Sequence, residues 1–97
     1  MRFEWDEAKN RANLRKHGFH LSDAQEMFEG LFLVRPDTRE DYGEERWLGI
    51  GITKGRVAFV AFTTGAHDTI RVISLRKASH EERQEYEDAI QDGLGTH

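Results

Sequence analysis

Cationic and titratable side chains are the groups in this 97-residue chain that could do chemistry. The sequence has no Cys, which excludes a thiolate metal site and a cysteine nucleophile. The stretch that starts at His80 begins like the helical motif of zinc hydrolases, but Gln84 stands where that motif needs its second His. Glycine loops for nucleotides and a nucleophilic-serine elbow are also missing from the sequence. These observations favour a chemistry of His, Arg, Lys and Tyr without metal or cofactor.

Such groups can stabilise a negative charge and transfer a proton without a metal. Arg and Lys can stabilise the charge, and a His with its ordinary pKa of about 6.5 can transfer the proton. The chain offers seven candidates: Lys9, Lys16, His17, Arg46, Arg71, Arg76 and Lys77. Because His17 falls in the last turn of a predicted helix, we expect the helix dipole to favour its protonated form.

Each candidate also has an ordinary structural interpretation. Helical spacing places Lys9, Asn13, Lys16 and His17 along one polar face of the first helix, which also fits a solvated face. Arg46 fits a cross-strand partner for an acidic side chain. Arg71 lies between Ile70 and Val72, so it must face solvent or a partner. In a regular strand Arg71 and Arg76 point to opposite faces. Only a bulge or an early strand end would let both reach one site.

Charge is segregated along the chain. The net charge is −4, but residues 1–20 carry +2 and residues 51–78 carry +4, while residues 21–50 and 79–97 each carry −5. Such a chain can present a basic patch to phosphates and acidic flanks to another partner. Ordinary solvated faces can produce the same pattern.

The hydropathy pattern predicts the elements that must position these groups. Their order is strand, helix, helix, four strands, helix. The predicted strands are residues 1–5, 31–34, 46–54, 56–63 and 69–75, and the predicted helices are residues 6–17, 22–30 and 79–93. Short turns between consecutive strands indicate an antiparallel meander, and the length indicates one α+β domain over residues 1–97. Without an apolar run long enough for a membrane span, we expect a soluble, cytoplasmic protein.

Local signals refine this arrangement. The strand at 56–63 is apolar on both faces, which is typical of a central strand. Tyr86 on the last helix is expected in the core. The apolar side chains available to pack the first helix are Ala8, Ala12 and Leu14. Two capping boxes are predicted, Ser22 with Gln25 and Ser79 with Glu82.

Several stretches resemble motifs of the BrnT toxin family. The opening motif is matched by residues 3–9 (Phe-Glu-Trp-Asp-Glu-Ala-Lys), by Asn13 and by residues 16–19. The middle motif is matched by residues 41–46, the late motif by residues 70–78, and the last by Glu82, Arg83 and Tyr86. The resemblance spans about residues 3–86 in the family's order. The chain departs from the family at Leu75, where a smaller residue is common, and at residues 64–66, where a basic residue is common.

This resemblance implies a ribonuclease toxin of a type II toxin–antitoxin pair with a RelE-like fold. That fold has an antiparallel four- to five-stranded sheet, two N-terminal helices and one C-terminal helix. The resemblance also implies a BrnA-type antitoxin that alone contacts operator DNA, in a heterotetramer built on an antitoxin dimer. The alternative is a non-catalytic module that docks a DNA-binding partner through its acidic loop and acidic last helix.

Site roles follow from the late motif and from the chemistry above. Arg76 ends a strand beside a helix start, so we place it at the scissile phosphate. The other predicted catalytic residues are His17 for proton transfer and Arg46 and Lys77 for supporting charge. The predicted RNA-backbone contacts are Lys9, Lys16 and Arg71, and the next candidates are Tyr42, Glu44 and Arg83.

Overall fold

A computed structural model describes residues 1–95, with side chains through residue 93. The strands are β1 (Arg2–Glu4), β2 (Leu33–Pro36), β3 (Trp47–Thr53), β4 (Arg56–Gly65) and β5 (Thr69–Lys77). The helices are α1 (Glu7–His17), the short α2 (Ala24–Met27), which follows a 3-10 turn at Leu21–Asp23, and α3 (His80–Gly95). No helix within the described residues is long and apolar enough to cross a membrane.

The five strands form one mixed sheet in the order β1-β5-β4-β3-β2. Strands β2 to β5 are antiparallel neighbours, as the short turns predict, and β4 is the central strand. The expectation of a wholly antiparallel sheet is wrong at one edge, because β1 pairs with β5 in parallel. A three-residue strand that is followed by helices has no turn to set its direction, so the sequence carries no signal for this pairing.

The sheet has a hydrophobic cluster on each face. On one face, the segment that contains the 3-10 turn and α2 packs against β4 and β5, and the buried residues are Phe19, Leu21, Ala24, Met27, Ala58, Val60, Phe62, Ile70, Val72 and Leu75. On the other face, α3 covers part of the sheet over Leu48, Ile50, Phe59, Ala61 and Tyr86. Tyr86 is buried, as predicted, and its hydroxyl donates to the Leu31 carbonyl at 2.8 Å.

Helix α1 packs on the protein through polar side chains. The few apolar side chains of the helix, Ala8, Ala12 and Leu14, are all exposed and do not attach it to the sheet. Asn13 is the buried residue of α1 instead, at 7% exposure. Its Oδ1 accepts from the Leu75 N–H at 3.1 Å, and its Nδ2 donates to the Leu75 carbonyl at 2.8 Å. Because β1 ends beside Arg71, this edge of β5 has no strand partner, and the Asn13 carboxamide satisfies it instead.

A bulge in β5 decides which face its arginines occupy. Ser74 pairs with Ala61 of β4 and Val72 pairs with Phe62, so Ile73 is an extra residue on β5. The extra residue reverses the alternation, and Arg71 and Arg76 therefore lie on the same face, the one that carries α3. A bulge is one of the two irregularities, the other being an early strand end, that would let Arg71 and Arg76 reach one site.

Three boundaries of helices and strands differ from those predicted. The capping box at Ser22 is wrong, because the His20 N–H donates to Asp23 Oδ2 at 3.0 Å and the turn starts earlier. The second strand runs over Leu33–Pro36 rather than 31–34, and the edge position tolerates its proline. Helix α3 extends past Gly93 to Gly95.

The capping box at Ser79 is confirmed. The Ser79 N–H donates to Glu82 Oε1 at 2.8 Å, and the Glu82 N–H donates to Ser79 Oγ at 3.1 Å. The start of α3 is therefore tied to the residues that follow β5.

Candidate active site

A groove of about 210 Å³ runs between α1 and β5. Its lining residues are Lys9, Ala12, Asn13, Lys16 and His17 from the helix and Ile73 and Ser74 from the strand. The helical spacing predicts that the polar residues of α1 share one face, and the structure confirms it. The groove thus combines two ammonium groups, an imidazole and a hydroxyl on the same side of the sheet as Arg76.

The position of His17 follows from how α1 begins and ends. Asp6 caps the first turn, where its Oδ1 accepts from the Lys9 N–H at 3.0 Å. Gly18 ends the helix with a φ of 77°, a conformation that favours glycine, and its N–H donates to the Leu14 carbonyl at 2.9 Å. His17 therefore occupies the last turn, where it is half-buried against the groove.

Burial lowers the pKa of His17 below its ordinary value, and the positive charges of Lys16 and Arg76 lower it further. The helix dipole predicts the opposite direction, so that expectation is wrong. The neutral imidazole is the favoured form near neutral pH, and a neutral imidazole can accept a proton.

Arg76 is held flat at the end of β5. Its Cζ lies 4.1 Å from the centre of the Phe59 ring, and its Nη1 and Nη2 donate to the two oxygens of Glu82 at 2.8 and 2.9 Å. A third bond joins Nη1 to the Lys77 carbonyl at 3.1 Å. Since a guanidinium has five N–H donors, the Nε edge keeps two of them for a ligand. With 35% of its side chain exposed, Arg76 can meet a phosphate through that edge.

Glu82 links Arg76 to the capping box of α3. Burial alone would raise the pKa of Glu82, but the Arg76 guanidinium and the Ser79 N–H outweigh burial and lower it. Glu82 is therefore a carboxylate at neutral pH. It positions Arg76 and the first turn of α3 together.

Arg71 lies at the other end of this face. It is 47% exposed, and its Nη1 is 3.6 Å from an oxygen of Glu4 on β1. The β4 partners of Arg71 and Arg76 are Thr63 and Phe59, so the two arginines lie roughly 13 Å apart along the sheet. This separation suits contacts to different phosphates of one strand of RNA rather than to one phosphate.

Arg46 does not line the groove. Its Cζ lies 4.0 Å from the centre of the Tyr42 ring, and its Nε is 3.3 Å from Glu44 Oε2. All three belong to the loop region between β2 and β3, where Arg46 and Glu44 line a cavity of about 570 Å³ with other acidic residues. There Arg39 makes two hydrogen bonds of 2.8 Å to Asp37 and holds the pKa of that buried carboxyl well below its usual range.

Lys77 does not line the groove either. It pairs with Ala58 of β4, which puts it on the sheet face opposite to Arg76. It lines a separate cavity with Arg56 and Arg83.

The roles of Asn13, Glu82, Ile73 and Ser74 were not predicted, although all four residues fall in the family motifs. Nothing in the local sequence indicates the extra residue in β5 or the stacking of Arg76 on Phe59. Over the described residues, no group of three His, Cys, Asp or Glu side chains could hold a metal ion.

A protein-family model described as "Ribonuclease toxin, BrnT, of type II toxin-antitoxin system" matches residues 5–82. The chain belongs to the BrnT family. The 1.1 Å crystal structure of the Brucella abortus ribonuclease toxin BrnT is similar to it, with 32% sequence identity and a TM-score of 0.67. That match covers 82% of this chain and 99% of the Brucella chain. No curated protein matches.

Membership of the BrnT family makes this chain a ribonuclease toxin of a type II system, and such a system includes a protein antitoxin. The matched residues contain α1, β5 and Glu82, and therefore both walls of the groove. The groove is the part of this BrnT-family chain where basic groups and a titratable imidazole meet.

Proposed function

We propose that this chain is a metal-independent endoribonuclease whose active site is the groove between α1 and β5 together with Arg76. The observation that carries the proposal is that Lys9, Lys16 and His17 line one groove with Ser74, on the sheet face that also carries Arg76. Burial, together with the charges of Lys16 and Arg76, lowers the pKa of the His17 imidazole there. A base that stays neutral and two permanent charges beside it are the groups that metal-free cleavage needs.

In the proposed reaction, His17 takes the proton of the 2′-hydroxyl. The 2′-oxygen forms a bond to phosphorus, and the bond from phosphorus to the 5′-oxygen breaks. Protonated His17 or water returns a proton to the 5′-oxygen, which leaves a 2′,3′-cyclic phosphate and a 5′-hydroxyl. Arg76 stabilises the added negative charge through its unoccupied edge.

Lys9 and Lys16 hold the RNA backbone along the groove, and Arg71 holds it further along the sheet. Arg46 and Lys77 lie outside the groove, so we assign them an indirect role as positive charge near the bound strand. Cleavage of cellular RNA by this site arrests translation.

We also propose that a BrnA-type antitoxin neutralises the toxin in a heterotetramer built on an antitoxin dimer, and that only the antitoxin contacts operator DNA. The acidic loop supports a basic partner, because Glu40, Asp41 and Glu45 line its cavity with Glu44 and Asp37. A partner bound there and extending over the groove would exclude RNA.

The test is cleavage of a defined RNA by the purified chain, with the ends of the products identified. We expect a 2′,3′-cyclic phosphate and a 5′-hydroxyl. Expression of the chain alone should arrest growth, and co-expression of the neighbouring small reading frame should restore it. A folded sample that binds that partner but cuts no RNA would instead support the non-catalytic docking module.

A further inference from the structure

A second basic cavity, of about 310 Å³, lies at the end of the sheet where β5 leads into α3. Its lining residues are Gly55, Arg56, Val57, Lys77, Arg83 and Glu87. Three cations and one carboxylate thus surround the space, which gives its walls a net charge of +2. The whole chain carries −4, so this excess of positive charge is local.

The cations of this cavity have no carboxylate partner among the described side chains, residues 1–93. Neither Arg56, Lys77 nor Arg83 forms an ion pair there, whereas Arg39 and Arg76 each have close carboxylate partners. Uncompensated like charges around one space repel each other, and an external anion relieves that repulsion. Guanidinium groups match the oxygens of a phosphate through two parallel hydrogen bonds.

The cavity shares no lining residue with the groove, but the two spaces are linked through neighbouring residues. Lys77 directly follows Arg76, so their Cα atoms are about 3.8 Å apart although their side chains take opposite faces. The Cζ of Arg56 lies 4.7 Å from the centre of the Phe19 ring, and Phe19 follows His17 by only two residues. These two links place the cavity close to Arg76 and to the end of α1, within reach of an RNA strand that extends beyond the groove.

We infer that the cavity is a second phosphate subsite, which binds the backbone of single-stranded RNA outside the cleavage site. The inference rests on the proposed ribonuclease function, and it assigns Arg56 and Arg83 to RNA binding together with Lys77. Glu87 weakens the subsite, because its carboxylate opposes a phosphate. An acidic segment of a protein partner would find the same charges, but the nearness of the cavity to Arg76 and to the end of α1 favours RNA.

The test measures binding of 2′-O-methyl RNA, which has no nucleophile and cannot be cut. Fluorescence anisotropy gives Kd for oligonucleotides of about four and about twelve nucleotides as a function of salt. The variant is Arg56→Gln with Arg83→Gln. The matched control is Arg2→Gln with Arg35→Gln, which removes the same charge from exposed residues on the edge strands β1 and β2.

For the longer RNA, the variant should raise Kd about tenfold at 0.15 M salt and lower the salt slope by about 1.4, while the control changes both much less. The shorter RNA should bind equally to all forms. Glu87→Gln should tighten binding of the longer RNA, and Lys77→Gln should weaken it by a smaller factor than the double variant. Thermal melts identify any variant that fails to fold. If the double variant does not fold, Arg56→Gln and Arg83→Gln are measured separately, and each should raise Kd for the longer RNA.

Equal Kd and slope for the folded variant and the parent would overturn the subsite. An equal loss for both lengths of RNA would also overturn it, because the cations would then act inside the groove. So would loss of antitoxin binding with unchanged RNA binding, which would make the cavity a protein surface. A parent that binds the RNA but never cuts natural RNA would refute the proposed cleavage and leave this binding result standing.

Discussion

At the scale of single residues, Arg76 is held by more contacts than any other candidate. Phe59 supports one face of its guanidinium, and Glu82 holds its end, so the edge offered to a phosphate is fixed before RNA binds. Such preorganisation is what makes a charge effective in a transition state.

Replacing Arg76 tests this directly. Arg76→Ala should lower kcat by about 10²–10³, because a charge donor is lost from the transition state. Arg76→Lys should restore only part of the rate, since an ammonium keeps the charge but lacks the two parallel N–H donors of the guanidinium. The measurement is cleavage of a defined RNA by variants whose melts match the parent. Parental rates for Arg76→Ala would place the active site elsewhere.

His17 gives a prediction about pH. Because its pKa is lowered, the imidazole stays neutral down to a pH below 6.5, so activity should be retained there and fall only on further acidification. His17→Gln should lower the rate by about 10²–10⁴ and remove that acid limb. Lys16→Gln should raise the pKa of His17, so the loss of activity on acidification should begin at a higher pH. The pH profile of kcat for the three proteins is the check, and an unchanged limb in His17→Gln would exclude this histidine.

The residue types of the candidate site could be predicted from the sequence, but the burial of these residues and their positions relative to one another could not. Eliminating metal and thiol chemistry left His, Arg and Lys, and helical spacing correctly grouped Lys9, Lys16 and His17. The direction of the His17 pKa shift was wrong, because the dipole is visible in a sequence while burial and the nearness of Arg76 are not.

At the scale of elements, the groove exists because one side chain attaches α1 to β5. Asn13 makes three hydrogen bonds, two to Leu75 and one to the Phe19 carbonyl at 3.0 Å. Few apolar contacts assist, since Ala8, Ala12 and Leu14 are exposed. The width of the groove therefore depends on a polar contact.

Asn13→Ala should lower the free energy of unfolding by at least about 1–3 kcal/mol, because it leaves the buried Leu75 N–H without a partner. The cleavage rate should fall by more than the loss of folded protein accounts for, because α1 carries His17 and would no longer be held against β5. Asn10→Ala is the matched control. It removes a hydrogen bond from the Leu21 N–H at 2.7 Å and an exposed one to Glu7 Oε1 at 3.3 Å, but neither of them reaches β5. Urea unfolding and cleavage rates below the transition measure both effects. Equal losses for the two variants would refute the special role of Asn13.

The elements themselves were largely predictable, since five strands and three helices occur in the expected order. Two features could not be predicted from the sequence, for physical reasons. The direction of β1 is set by long-range pairing with β5, and the bulge at Ile73 is set by register with β4. Neither leaves a periodic signal in the local sequence.

At the scale of the whole molecule, the donor set bears on metal dependence. The chain has no Cys, and the described residues hold no group of three metal-ligating side chains. Cleavage should therefore proceed undiminished in EDTA. The measurement compares rates in EDTA, in buffer alone and with added Mg²⁺, at matched ionic strength. Loss of cleavage in EDTA that a divalent ion restores would contradict the proposed acid–base mechanism.

The two walls of the groove are far apart in the order of synthesis. Asn13 and Leu75 are 62 positions apart. At a translation rate of about 5–20 residues per second, α1 leaves the peptidyl-transferase centre about 3–12 s before the strand that completes the groove. An unfinished chain thus has His17 without Arg76. On the proposed mechanism, a ribosome that makes this toxin meets no complete active site on its own nascent chain until synthesis is almost over.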